Sequence, residues 1–114
     1  MFLALKAKGS EVIYMTPPMM CKTVRPEVEG EMLRGVAAQV AEAQNAGLLD
    51  LYCEKGMEVA KECHVTICDL HKKWNRLAAC GVDTDALLSN YINHPTREMT
   101  RLTARTLLET MLED

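Results

Sequence analysis

The sequence predicts an α/β fold with a parallel sheet, and three observations carry that prediction. Val12-Ile13-Tyr14-Met15 is a continuous apolar run without alternation, which suits a strand buried on both faces of a parallel sheet. Val65-Thr66-Ile67-Cys68 is a second short run, rich in β-branched residues, and reads as another strand. The segments around them place apolar residues at three- and four-residue intervals, the period of a helix. Strands alternating with helices in this order point to helices layered on a parallel sheet.

The elements follow in order. Leu3, Leu5 and the lysines before Gly9 read as the last turn of a helix with a glycine stop. The strand over Val12–Met15 is ended by Thr16-Pro17-Pro18, which opens a loop. From Glu29 to Ala46 the spacing of Met32, Val36, Val40 and Ala43 predicts a helix, broken at Asn45-Ala46-Gly47. A second helix is expected over Leu48–Cys63, with Leu48, Leu51, Tyr52 and Val59 on its apolar side and Gly56 weakening it. After the second strand, Asp69 stands where a carboxylate caps the next helix, expected from Leu70 to Cys80 and stopped by Gly81. Trp74 is expected in the core. A turn over Asp85–Leu88 leads to His94-Pro95, with Pro95 placed as the first residue of a final helix. Leu102, Leu107, Leu108, Met111 and Leu112 would form that helix's apolar side, and Arg97, Arg101 and Arg105 its solvated one.

Composition narrows the function classes. A chain of 114 residues is one domain at most. Hydrophobic residues at 48% and charged residues at 25% are ordinary for a globular chain and argue against disorder. A net charge of −3 without a basic stripe argues against a nucleic-acid partner. Five cysteines, an odd set with no C-x-x-C pair, predict reduced thiols in a cytoplasmic protein. The amino-terminal apolar run is too short for a signal peptide, and no stretch approaches a membrane helix. Cys63-His64 with Cys68 and His71 shows no four-ligand spacing, so no metal site is expected there.

Three blocks, in order along nearly the whole chain, resemble the carboxyl-terminal part of SGNH (GDSL-type) ester hydrolases. Gly9-Ser10-Glu11-Val12-Ile13-Tyr14-Met15-Thr16-Pro17 resembles the family's fourth sheet strand and the loop after it. Val65 to Trp74, read as Val-Thr-Ile-Cys-Asp-Leu-His-Lys-Lys-Trp, resembles the fifth strand, its terminal Asp and the following helix. Cys80-Gly81-Val82-Asp83 through Leu87-Leu88, then Ile92-Asn93-His94-Pro95-Thr96-Arg97-Glu98-Met99, resembles the last block, where a His-Pro step precedes the final helix. The resemblance implies a partial flavodoxin-like three-layer fold, two parallel strands with flanking helices, forming residues 1–114 of a single partial domain. It implies hydrolysis of a small-molecule acyl or acetyl ester without a cofactor, with His94 as general base and then general acid for a serine nucleophile.

The sequence departs from that family at two points. It carries no Gly-Asp-Ser segment after a first strand, and Ser10, which enters the fourth-strand equivalent, is not assigned as the nucleophile. Tyr91 stands three residues before His94, where the family has an acid; Asn90, Asp83 and Asp85 are near, and spacing selects none of them. The expected function is therefore a fragment of a serine ester hydrolase that supplies His94 and is inactive alone. The alternative is a small non-enzymatic α/β or helical interaction domain. The strand at Val12–Met15 would show an unpaired edge, which predicts pairing with a second copy or with an amino-terminal half.

Overall fold

A computed structural model describes residues 1–113. Its order is α1 (Phe2–Ala7), β1 (Ile13–Met15), α2 (Glu31–Asn45), α3 (Leu48–Glu62), β2 (Thr66–Cys68), α4 (Leu70–Ala79), a 3-10 turn (Thr84–Leu87) and α5 (Arg97–Leu112). The strands pair in parallel, with Ile13 opposite Thr66 and Met15 opposite Cys68. The chain is thus a mixed α/β protein on a two-stranded parallel sheet. The α2–α3 hairpin makes the long crossover that parallel strands require.

Local chemistry sets the element ends. Gly9, Gly30, Gly47 and Gly81 all take positive φ, but Gly47 is the position where it matters most. At φ 76 it turns the chain between α2 and α3 with no linker between them beyond Ala46 and itself. Asp69 caps α4 as expected, its Oδ1 accepting from the Lys72 amide at 3.2 Å and also from the Thr16 hydroxyl at 2.9 Å. One boundary is corrected. Pro95 is not the first residue of α5; Thr96 is the N-cap, its hydroxyl accepting from the Met99 amide at 3.3 Å. The hydroxyl satisfies one of the amides that a helix start leaves without an intrahelical partner. Pro95 instead pairs with Leu88 in an isolated antiparallel bridge.

The core is displaced from where the periodicity puts it. It gathers Met19, Cys21 and Val28 from the loop after β1, Ala37 and Ala41 from α2, Leu70 and Trp74 from α4, and Leu88, Ile92 and Met99 from the last block. Trp74 is fully buried, as expected. The strands are not buried on both faces: Ile13 and Tyr14 are half-buried and Met15 and Thr66 exposed. A two-stranded sheet has too few neighbours to cover both faces. The helices face the core only in part as expected: Val40 of α2 and Leu102 of α5 pack against it, and most of the other stripe residues do not. In α2 Ala37, Ala41 and Gln44 face inward while Met32 is 80% exposed and Val36 is also exposed. In α3 Cys53 and Ala60 are buried while Leu48, Leu51, Tyr52 and Val59 are exposed. In α5 Met99 and Thr106 are buried while Leu108, Met111 and Leu112 are exposed. Small residues let the backbones approach the core, and the larger apolar side chains are left outward.

Candidate functional site

His94 lies in the loop between the 3-10 turn and α5. That loop is tied to the one leaving the carboxyl end of β1, because the Cys21 amide donates to the Ile92 carbonyl at 2.8 Å. Reacting groups of α/β proteins gather at this end of the strands. The carbonyl of His94 accepts from the Ser89 amide at 2.6 Å and the Ser89 hydroxyl at 3.1 Å, and the Thr96 amide donates to the Leu87 carbonyl at 2.9 Å. The backbone at His94 is fixed, although its ring is exposed.

Two asparagines decide the state of the ring. Asn90 Oδ1 accepts from the amides of Ile92, Asn93 and His94 at 3.0, 2.9 and 3.0 Å, which fixes which end of its amide is oxygen. Its Nδ2 then donates to Asn93 Oδ1 at 2.9 Å, so the oxygen of Asn93, not its nitrogen, faces inward. That oxygen lies 2.6 Å from His94 Nδ1, and only a protonated Nδ1 can donate to it. Asn90 Nδ2 also stands 3.1 Å from Nδ1, a contact that carries no second bond once Nδ1 holds its own proton. The neutral imidazole therefore has its lone pair on Nε2, which has no hydrogen-bond partner among the described residues. This is the tautomer a general base needs.

Of the residues the sequence left open as orienting groups, the structure brings only Asn90 to His94. Asp83 is engaged by Arg25 at 2.7 Å, and that hydrogen bond holds its carboxyl below the ordinary value. Arg25 also stands over the ring of Tyr91, 5.5 Å from the centroid, so Tyr91 is a platform for the arginine. Asp85 is buried and accepts from the Lys22 amide at 2.8 Å, the Thr23 amide at 3.1 Å and the Thr23 hydroxyl at 2.7 Å. It anchors the loop after β1. Asn93 was the unread member, because nothing in its spacing separates it from an ordinary turn asparagine. Ser10 is exposed in the turn between α1 and β1, ahead of the opposite, amino-terminal end of the strand.

Replacing Asp85 by alanine leaves three donors beside a buried void, at a cost of about 3 kcal/mol for the lost charge-assisted bonds. A shift of the urea midpoint to lower concentration at unchanged slope measures it. Asparagine at the same position does not rescue stability, since its amide nitrogen would face a donor.

A second polar cluster joins α3, α4 and the loop after β1. The buried ring of His71 places Nε2 at 2.6 Å from Asp50 Oδ1 and Nδ1 at 3.1 Å from the Pro17 carbonyl, and Asn75 Nδ2 donates to the same Asp50 oxygen at 3.1 Å. The Asn75 amide, and after it His71, holds the Asp50 carboxyl below its ordinary value. Because the folded value lies below the unfolded one, the linked stability is present above the unfolded value. It is lost as pH falls through the folded value, below about pH 4. Acid titration of the unfolding midpoint is expected to show a shallower loss for Asp50→Asn than for the unaltered chain. Nearby, burial first and then the Asp69 and Asp50 carboxylates push the Cys53 thiol up to about 11, so it is neutral and inert at neutral pH. Among the described residues no group of three or more His, Cys, Asp or Glu side chains converges to hold a metal ion. No helix among them is long and apolar enough to cross a membrane. Compared with known proteins, the chain matches no family, no curated protein and no solved structure.

Proposed function

We propose that this chain supplies the general-base histidine, His94, of a serine ester hydrolase whose nucleophile lies on a segment outside this sequence. The observation that carries the reading is the 2.6 Å contact of His94 Nδ1 with the Asn93 side-chain oxygen, with Nε2 unpartnered among the described residues, in a loop tied to the carboxyl end of β1. In the proposed reaction Nε2 takes the serine hydroxyl proton as Oγ adds to the ester carbonyl carbon. It returns that proton to the departing alkoxide as the acyl–oxygen bond breaks. Water then repeats the cycle and releases the acid. On this reading β1 and β2 belong to a wider parallel sheet of a flavodoxin-like three-layer fold, and the substrate is a small acyl or acetyl ester.

The test is reconstitution with an SGNH-type amino-terminal segment bearing Gly-Asp-Ser. Hydrolysis of p-nitrophenyl acetate, and labelling of the serine by a fluorophosphonate, are expected in the mixture and in neither part alone. A mixture no faster than its parts sinks the reading. A second reading, a small non-enzymatic interaction domain, is favoured by the large exposed apolar side chains of α1 and α3. It predicts partner binding with no hydrolysis in any mixture.

A further inference from the structure

The ring of His71 is buried, and both of its nitrogens are engaged. Nε2 lies 2.6 Å from Asp50 Oδ1, and Nδ1 lies 3.1 Å from the Pro17 carbonyl oxygen. Neither partner donates at neutral pH. A carbonyl oxygen only accepts, and Asp50, whose carboxyl the Asn75 amide and then His71 hold below its ordinary value, is a carboxylate there. A neutral imidazole has one N–H and one lone pair, so it satisfies one of the two contacts and not both. The ring that fits this geometry carries a proton on each nitrogen.

The two bonds are unequal. The one to Asp50 joins opposite charges, whereas the one to Pro17 ends on a neutral oxygen. The groups around the ring reinforce the difference. On the Asp50 side a cavity of about 410 Å³ is lined by Asp50, Cys53 and Glu54 of α3 and by Asp69 and Lys72 at the start of α4. Three carboxylates stand there against one ammonium, and the Cys53 thiol is neutral. The loop after β1 brings the Pro17 carbonyl and the Thr16 hydroxyl, which accepts from the His71 amide at 2.9 Å. When the ring gives up one proton, the carboxylates keep the other on Nε2. The Nδ1 lone pair then faces the Pro17 oxygen, and attraction becomes repulsion.

Pro17 is a sensitive place for that change. Pro17 and Pro18 have no amide hydrogen, and among the described residues the ring's bond to Pro17 is the one hydrogen bond made by residues 17–19. The anchors on either side are the Thr16 amide, which donates to the Cys68 carbonyl at 3.0 Å, and the Met20 amide, which donates to Gln44 Oε1 at 3.0 Å. Between them Met19 is buried in the core. We propose that His71 is a pH-operated clasp on the loop after β1, closed while both ring nitrogens hold protons and released at Pro17 when the ring loses one. The clasp stands apart from the proposed hydrolysis. Its release nevertheless reaches the block that carries His94, because Cys21 of the same loop bonds Ile92.

Nitrogen-15 correlation spectra of the imidazole rings, combined with amide exchange of the whole chain over a range of pH, test this. Both His71 nitrogens are expected to be protonated at the acid side, and Nδ1 to lose its proton as pH rises. In step with that loss, protection of the Met20 amide, corrected for its intrinsic exchange rate, falls about tenfold to a hundredfold, the equivalent of one hydrogen bond to a charged group. Amides in the middle of α5 keep theirs. Asp50→Asn, at a half-exposed side chain, is the deciding variant. With the Asn75 amide turned over, the new amide donates to Nε2 while Nδ1 keeps its proton for Pro17. The neutral ring then holds the loop, and the step in protection disappears. A His71 ring with one bare nitrogen at every pH overturns the proposal, as does a ring that keeps both protons wherever the chain is folded. Met20 protection that ignores the ring's titration, or a step that persists in Asp50→Asn, overturns it equally.

Discussion

On the proposed reading, hydrolysis by the reconstituted enzyme is expected to fall about a hundredfold to ten-thousandfold when His94 is replaced by alanine, while the two parts still associate. The range is that of a general base removed from an otherwise intact site. Association is expected to survive because, among the described residues, the His94 side chain touches with polar atoms only its neighbours Asn90 and Asn93 and bonds only the latter. Asn93→Ala is the informative companion. It leaves the ring in place but frees Nδ1, so the imidazole divides between two tautomers and only one has a bare Nε2. The rate then falls by much less than with His94→Ala. Asn93→Asp does the opposite, placing a carboxylate on Nδ1 that stabilises the imidazolium formed in the transition state and shifts the pH–rate profile to higher pH. A structural role for Asn93 would leave that profile unmoved. Equal rates for His94→Ala and the unaltered chain would remove the histidine from the mechanism.

How much of this was legible depended on whether the signal was local. The strands, the helix order, the Asp69 cap and the buried Trp74 each rest on contacts within a few residues or on a short run of one character. All appear in the structure near their expected bounds. Helix faces were read less well. Periodicity located an apolar stripe on α2 and α3, but a stripe faces the core only when something covers it. Here Ala37, Ala41, Cys53 and Ala60 are buried instead, because small residues allow the closest approach. The candidate site divides in the same way. His94 was visible as a His-Pro step, whereas its partner Asn93 was not, since the choice among neighbouring polar residues is made by side-chain geometry. Asp83 and Asp85 looked equivalent in sequence and are committed to Arg25 and to the loop at residues 22–23, elements some sixty positions away. The His71–Asp50–Asn75 cluster was invisible for the same reason, being closed by the fold.

Trp74→Ala is expected to cost about 3–5 kcal/mol, the usual penalty for deleting a buried large aromatic. A chain of this size has a total stability on the order of 5–15 kcal/mol. The loss therefore falls hard here, where the core is small and drawn largely from loops. Trp74 is among its largest members, is fully buried, and belongs with Leu70 of its own helix and with Met19, Cys21, Leu88, Ile92 and Met99 from outside it. Emptying its site loosens at once the loop after β1 and the block that carries His94. Trp74→Phe separates packing from polarity. The indole Nε1 is buried with no hydrogen-bond partner among the described residues, and an unpaired donor costs about 1–3 kcal/mol. Phenylalanine removes that donor while keeping most of the ring, so the relief offsets much of the lost volume. Urea unfolding followed by far-ultraviolet circular dichroism is expected to place Trp74→Phe close to the unaltered chain and Trp74→Ala at or past the edge of folding. Equal destabilisation by the two substitutions would mean that the indole nitrogen finds an acceptor and that its hydrogen bond, more than its bulk, holds this core together.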